Sequence, residues 1–378
     1  MRALITGMGA VSSVGADRAA TFEALCAGRT GLAPLRGFDP ANFRARNAYE
    51  IDDRPTAGAD RPLRPTRWLV DAVAEALADA GMSEDLTGVP VLIGTTLREL
   101  RSVELSWCDG ISFDPAELHF GTALRRRFHA DRTYTVANAC AASLYALGMA
   151  VDLLDLGEAD TVVVAGADTI TESTYGMLDR VYPKAPEAVR PFDRGRRGML
   201  QGDGAAAVVL HRSAPPGIRP YARVRGVGVN CDAGHPSAPD AQSIGRVMHD
   251  AHARAGVKPA DIDLVMLHGT GTPHNDLAEA RALAEVFAGV ETAPRMTAIK
   301  SMIGHTAGAS GLHSLITAVQ SLGSGRVPPT LGLDDPIEEM AGFRLGGEPA
   351  LDPELSVAQV DSFGFGGLNA VAVVEKVA

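Results

Sequence analysis

Charge is scarce in this 378-residue chain: 21% of its residues are charged, 35 basic against 46 acidic, for a net −11. A nucleic-acid footprint needs a basic stripe, and the short run Arg125, Arg126, Arg127 does not make one, which argues against nucleic-acid binding. No apolar run approaches the ~20 residues of a membrane span. The opening apolar stretch follows a single early Arg and breaks at Gly7 and Gly9, so it reads as a strand and turn rather than a signal peptide. Cysteine is sparse too. The four, at 26, 108, 140 and 231, form no C-x-x-C pair, so reduced thiols in a cytoplasmic protein are expected, with one of them chemically active. Neither H-E-x-x-H nor a close thiol pair occurs, and His249 and His252 are simply helix neighbours, so no metal site is expected. No Walker-type loop is present, and Gly7-Met8-Gly9 continues to Ser12 where a dinucleotide fingerprint needs a third glycine.

What remains is a globular composition, 46% hydrophobic, with 41 glycines and 23 prolines but no linker or low-complexity tract to hold them. The glycines must therefore sit in ordered turns or at close backbone approaches. Strand-like and helix-like segments alternate. Strands are expected at 4–6, 89–94, 161–165 and 205–210, with helices at 66–80, capped by Gly81, and from Cys140 to about 156. The SAPPGIRP stretch at 213–220 interrupts the pattern. Beyond it come strands at 222–229, 264–267, 296–299 and 370–375 and helices at 241–255, 276–287 and 309–321. Such alternation predicts an α/β fold with a mostly parallel sheet covered on both faces, and the order of elements suggests two similar halves.

Chemistry concentrates at a few places. Cys140 lies in Thr135-Val136-Ala137-Asn138-Ala139-Cys140-Ala141-Ala142-Ser143, where a β-like run passes into small helix formers. A thiol there meets the positive end of a helix, which favours the thiolate that attacks acyl groups. A cysteine taken singly is more often packed as a small apolar residue, the role expected of Cys26, Cys108 and Cys231. His268 in Leu267-His268-Gly269-Thr270-Gly271-Thr272-Pro273 and His305 in Lys300-Ser301-Met302-Ile303-Gly304-His305-Thr306-Ala307-Gly308 each follow a strand, where α/β ligand sites gather. Two such histidines with such a cysteine are hard to attribute to packing. Near the end, Ser362-Phe363-Gly364-Phe365-Gly366-Gly367-Leu368-Asn369 reads either as a mobile loop offering backbone N–H groups or as a tight turn before the last strand.

Together these motifs, with Arg190-Pro191-Phe192-Asp193 and Gly202-Asp203-Gly204-Ala205, resemble the β-ketoacyl-acyl carrier protein synthases, condensing enzymes of fatty-acid and polyketide assembly with the thiolase fold. The resemblance runs over nearly the whole chain. It implies two βαβαβ-type halves in a five-layered αβαβα core, residues 1–213 carrying the nucleophilic Cys and residues 220–378 the two catalytic His. It also implies a triad of Cys140, His268 and His305, an oxyanion hole from the N–H groups of Cys140 and Phe365, and Lys300 in the polar network of the second His. Asp276 and Glu279 would support that network, Glu279 as partner of Lys300. Thr270 and Thr272 would contact a pantetheine arm, and Phe363 and Phe365 would line the acyl entrance.

The implied reaction is acylation of Cys140 from an acyl carrier protein, then decarboxylative condensation with a malonyl-type thioester. A transfer or cyclisation from the Cys140 thioester without elongation is the alternative. No permanently bound cofactor is implied, since substrates ride on carrier-protein phosphopantetheine; the assembly would be a homodimer, or a heterodimer with a chain-length-type partner. An acidic enzyme docking an acidic carrier needs a local basic patch, for which Arg64, Arg67, Arg125, Arg126 and Arg127 are the candidates. Departures from the family pattern are Asn275-Asp276 after the histidine motif, Asp203 in place of Glu, Leu368 in place of Thr, and a short, altered stretch from Gly94 to Cys140. That stretch bears on the acyl-pocket floor, so substrate size is left open.

Overall fold

A computed structural model describes residues 3–54 and 60–377. Its main sheet holds β1 (Leu4–Ser12), β2 (Pro90–Gly94), β3 (Arg132–Val136), β4 (Thr161–Asp168) and β5 (Gly204–His211) from the first half of the chain. The second half adds β6 (Ala222–Cys231), β7 (Leu264–Met266), β8 (Arg295–Thr297), β9 (Arg344–Leu345), β10 (Val357–Gly364) and β11 (Leu368–Lys376). The helices that matter below are α1 (Arg18–Cys26), α2 (Arg64–Asp79), α3 (Leu100–Asp109), α4 (Phe120–Phe128), α5 (Ala142–Asp155), α6 (Glu172–Val181), α7 (Ala241–Ala255), α8 (Pro273–Val286), α9 (Lys300–Ile303) and α10 (Ser310–Ser324).

The first half orders its strands β3-β2-β4-β5-β1, and the second, after the extra edge strand β9, orders its own β8-β7-β10-β11-β6. Numbered within each half, both are 3-2-4-5-1. The two sheets join only where Leu4 and Ile5 of β1 pair with Arg223 and Ala222 of β6. Three apolar layers separate the elements. Leu144 and Leu147 of α5 and Leu312 and Leu315 of α10 pack between the sheets, against Val164 and Val208 on one side and Met266 and Val360 on the other. Helices α2 and α4 cover the outer face of the first sheet, and α7 and α8 that of the second. The stack is α, β, α, β, α, as in the thiolase fold.

The expectation of a mostly parallel sheet needs correction. In each half the last two pairings are antiparallel, β4 with β5 and β5 with β1, then β10 with β11 and β11 with β6. Only three residues, Phe365-Gly366-Gly367, connect β10 to β11, and so short a turn can join antiparallel strands only. Gly366 and Gly367 both have positive φ, which a hairpin of this length requires. Gly7 and Gly9 mark no turn. They lie inside β1, where a Cβ would collide with the Ala76 and Ala72 carbonyls of α2, so the glycines let helix and strand approach closely. Helices α1, α3, α4 and α6 have nine or ten residues each, too few turns to set a readable period. Among the described residues no helix is long and apolar enough to cross a membrane.

Candidate active site

The duplicated topology places Cys140 and His305 at equivalent points. Cys140 follows the third strand of the first half and precedes α5; His305 follows the third strand of the second half and precedes α10. His268 follows β7. The Cys140 sulfur and one ring nitrogen from each imidazole lie within 4.8 Å of one another. All three residues line one narrow cleft with Met199, Thr270, Thr272, Phe363 and Phe365.

Cys140 is held in a sharp bend. Ala139 has φ 47, left-handed for a residue with a Cβ, and this strain turns the chain from β3 into α5. Hydroxyls of Ser362 (2.8 Å) and Ser310 (3.5 Å) donate to the Cys140 carbonyl. The backbone N–H groups of Phe365 and of Cys140 itself face the sulfur. The expectation of a thiolate at a helix start is overturned. Burial pushes the Cys140 thiol up to about 11, and the Lys300 charge and these two N–H groups offset that only in part. At neutral pH the resting group is a thiol. Alkylation of the Cys140 peptide by iodoacetamide, followed by mass spectrometry, is therefore expected to rise roughly tenfold per pH unit from pH 7 to 10. A plateau below pH 8 would show a preformed thiolate.

His268 is fixed through its backbone as well as its ring. Glu279 of α8 accepts from His268 N–H (2.7 Å) and Gly269 N–H (2.9 Å), and Asp276 accepts from Phe192 N–H (2.8 Å) and Thr270 N–H (3.1 Å). The two carboxyls thus shape the turn from within; burial pushes both upward, Asp276 to about 6. Lys300, expected in the network of the second histidine, bonds the first instead: its Nζ donates to the His268 carbonyl at 2.6 Å and lies 3.3 Å from the His268 Nδ1, because it opens the helix that packs beside the His268 turn. An ammonium beside Nδ1 selects the tautomer with the proton on Nε2. Among the described residues no Lys300–Glu279 ion pair forms within 4 Å, so the expected partnership is electrostatic across a short gap. Burial, followed by the Lys300 charge, holds the imidazoles of His268 and His305 far below the ordinary histidine range, so both are neutral at pH 7.

The His305 ring stands edge-on to His268, centroids 5.4 Å apart, and neither of its nitrogens has a hydrogen-bond partner among the described residues. Its backbone is clasped by the Leu200-Gln201-Gly202 segment: His305 N–H donates to Leu200 O, and Gly202 N–H donates to His305 O. A Cβ on Gly202 would lie on the Ile303 carbonyl oxygen. Thr270 and Thr272 share a 2.9 Å hydroxyl bond at the cleft wall, and Phe365, 42% exposed at the hairpin tip, stands at its mouth. The three clustered ligand atoms suit a cation poorly, because the Lys300 ammonium occupies the space beside His268 Nδ1 and would repel one.

The expected basic patch is not at this mouth. Arg64 is buried, bound to Asp53, Asp60 and Asp203. Arg67, Arg126 and Arg127 line a separate groove over α2 and α4, where Arg126 pairs with Glu117; Arg127 pairs with Glu84. The cleft also uses residues that motif reading did not find, Met199 and the segment 235–239. That segment is tied to the hairpin by Gly366 N–H donating to Pro236 O (2.7 Å), and its one available signal was His235 among prolines.

Comparison with known proteins agrees with this architecture. Residues 127–215 match the model of the beta-ketoacyl synthase N-terminal domain, and residues 221–334 that of the C-terminal domain. The chain is 31% identical to 3-oxoacyl-[acyl-carrier-protein] synthase 2 of Rhizobium meliloti and 30% identical to that of Vibrio cholerae, each alignment covering 99% of both chains. Among solved structures, the ishigamide ketosynthase/chain length factor superposes with a TM-score of 0.89 at 30% identity, covering 100% of this chain and 99% of the other. The chain belongs to the β-ketoacyl synthase family, and it is a condensing acyltransferase of fatty-acid or polyketide synthesis.

Proposed function

We propose that Cys140 carries the growing acyl group and that His268 and His305 drive decarboxylation of a malonyl-type extender, both delivered on acyl carrier protein. The observation that carries this reading is the meeting of one thiol, two neutral imidazoles and two converging N–H groups in one narrow cleft. In the first half-reaction the Cys140 sulfur attacks the acyl thioester. A C–S bond forms, the pantetheine C–S bond breaks, and the thiol proton passes to the leaving pantetheine sulfur, for which neutral His305, with both nitrogens unpartnered, is the available relay. The Cys140 and Phe365 N–H groups hold the oxyanion.

In the second half-reaction the extender's C–C bond to its carboxylate breaks, CO2 leaves, and the electron pair becomes an enolate. The Nε2–H of His268 donates to that enolate oxygen because Lys300 occupies the other side of the ring. His305 supplies the second hydrogen bond. The enolate carbon then forms a C–C bond to the acyl carbonyl as its C–S bond to Cys140 breaks, and the sulfur takes up one proton. No resident cofactor is required; Thr270 and Thr272 accommodate the pantetheine arm and Phe363 and Phe365 the acyl entrance.

The decisive experiment incubates the enzyme with acyl- and malonyl-loaded carrier proteins, following the mass of the Cys140 peptide and release of CO2 together. Acylation with stoichiometric CO2 and a β-ketoacyl product is expected. Acylation without CO2 would instead establish transfer without elongation. A free nucleophilic thiol is kept reduced most simply in a reducing compartment, which supports a cytoplasmic location.

The assembly we infer is a homodimer. Strand β3 ends the sheet with no neighbour on its outer edge among the described residues, and its Tyr134 is 47% exposed. An open edge of this kind is a template for strand pairing with a second copy. Sedimentation of the purified chain tests this, a monomer that dimerises only with a related chain-length-type subunit being the opposing result.

A further inference from the structure

Strand β10 carries two polar side chains where its pattern calls for apolar ones. Its Ala358 and Val360 enter the central layer, while Val357 and Phe363 face α7 and α8 in the outer layer. Side chains alternate along a strand, so Gln359 and Asp361 fill the two places between Val357 and Phe363 on that outer face. Both are buried. They form a file: His252 of α7 meets Gln359 Oε1 through Nε2 at 2.6 Å, and Gln359 Nε2 donates to Asp361 Oδ1 at 2.9 Å. The next place on the same face is Phe363, whose ring lies edge-on to the His268 imidazole.

Asp361 is faced by Glu279 from α8, by Lys300 from α9, and by Gln359 with His252 of α7 behind it. With Asp276, three buried carboxyls, and the Cys140 thiol, thus act on a single ammonium through space, none of the carboxyls within 4 Å of it among the described residues. A bare carboxylate in a dry interior persists only where donors replace its water. Asp276 has the N–H groups of Phe192 and Thr270 and the Asn275 amide; Glu279 has those of His268 and Gly269 and the same amide. Asp361 has one amide N–H, and its Oδ2 is buried with no partner among the described residues. Of the three it is the one least provided for as an anion.

We propose that Asp361 is a positioning residue that works as a neutral carboxylic acid: while it keeps its proton, Lys300 is left to Glu279 and the His268 carbonyl, and ionisation of Asp361 in alkaline solution draws the ammonium off His268 and ends condensation. Burial, with the Glu279 charge second, pushes this carboxyl well above the usual carboxylate range, in keeping with the geometry; burial also pushes Lys300, which the Cys140 thiol faces as well, down to about 8, so Asp361 must ionise while Lys300 still carries its proton. Asp361 exchanges nothing with substrate and acts only through Lys300. The consequence for turnover rests on the condensing role given above to Lys300 and His268, whereas the protonation itself does not.

The test is Asp361→Asn, which keeps the shape of a neutral acid and cannot ionise. Two quantities are measured: the pH profile of kcat/KM for condensation, each protein normalised to its own maximum, and the parent-minus-variant infrared difference spectrum at neutral pH. The alkaline limb of the variant is expected at least about one pH unit above that of the parent, so that roughly tenfold more of the maximum survives on that limb. The difference spectrum is expected to show the carbonyl band of a protonated carboxyl lost in the variant. A limb that stays in place overturns the proposal. So does a limb that moves to lower pH, which would mean that the substitution removed a charge supporting Lys300. An unchanged carboxyl band overturns it independently of any turnover. Loss of the band in a protein pair that shows no condensation at all would leave the protonation standing and refute the condensing reading of the site.

Discussion

Cys140→Ala is expected to eliminate the acyl-enzyme and to lower condensation by ~10⁴-fold or more, since among the described residues no other thiol lines the cleft. Cys26 is buried in the packing around α1, and Cys231, whose thiol rests on the Gly366 carbonyl, and Cys108 are exposed and do not line the cleft. The substitution removes one buried sulfur and keeps the Cβ, so the unfolding midpoint is expected to stay close to that of the parent. Release of CO2 from malonyl-loaded carrier protein should fall much less, because it depends on the two imidazoles and not on the sulfur. His268→Ala should do the reverse, sparing acylation and suppressing CO2 release by ~10²-fold or more, the usual consequence of losing one preorganised donor to an oxyanion. The pair is read by peptide mass for acylation and by trapped CO2 for decarboxylation. Equal loss of both activities in both variants would mean that the three residues do not divide the work as their geometry suggests.

The site was legible where the chemistry needs a particular residue type at the end of a strand. Cys140, His268 and His305 each stand in a short run of small residues that nothing in core packing would call for, and the fold brings all three to one cleft. The outer layers were less legible. Arg64 reads as a surface cation because arginine is rarely buried, yet three carboxylates enclose it, Asp53 and Asp60 from nearby in the chain and Asp203 from far along it. Residues 235–239 carry no periodic signal and join the cleft only through the hairpin beneath them. The thiol shows a competition that sequence cannot weigh. Position at a helix start was visible and favours the thiolate; burial was not, and it outweighs the helix end. Asp361 was passed over for a related reason. On an alternating strand the pattern assigns its position to the core, and only the absence of donors around Oδ2 marks it as different.

Asp203→Ala is expected to produce the largest loss of stability of any single substitution considered. Asp203 is buried, and each carboxylate oxygen is fully engaged: Oδ1 accepts from the Thr169 hydroxyl (2.8 Å) and Ile170 N–H (2.9 Å), Oδ2 from Ile51 N–H (3.1 Å) and the Arg64 guanidinium (3.2 Å). Removing it leaves two backbone donors unsatisfied and takes a counter-charge from a buried arginine, a combination that costs about 3–5 kcal/mol. Asp53 and Asp60 keep part of the Arg64 charge compensated, so the lower half of that range is the expected figure. Asp203→Asn keeps an acceptor for only one of the two N–H groups and sets an NH2 against the donors on the other side, so it should recover no more than part of the loss. The same network predicts acid sensitivity. Burial pushes Asp60 upward, but Arg54, Arg64 and Arg101 outweigh it and hold the carboxyl below its usual range. A carboxyl depressed in this way contributes stability above its unfolded pKa of ~3.9 and loses that contribution as pH falls through its lower folded value. Denaturant midpoints at pH 7 and at about pH 2.5, below the unfolded carboxylate value, for parent, Asp203→Ala and Asp203→Asn measure both effects. A midpoint for Asp203→Ala within about 1 kcal/mol of the parent would show that the enclosed charges contribute little net stability, as can hold for buried pairs that only break even. A large loss would have a second consequence. The Leu200-Gln201-Gly202 segment, which runs directly into Asp203, clasps the backbone of His305, so decarboxylation should weaken under conditions where the variant is still folded, before acylation of Cys140 does.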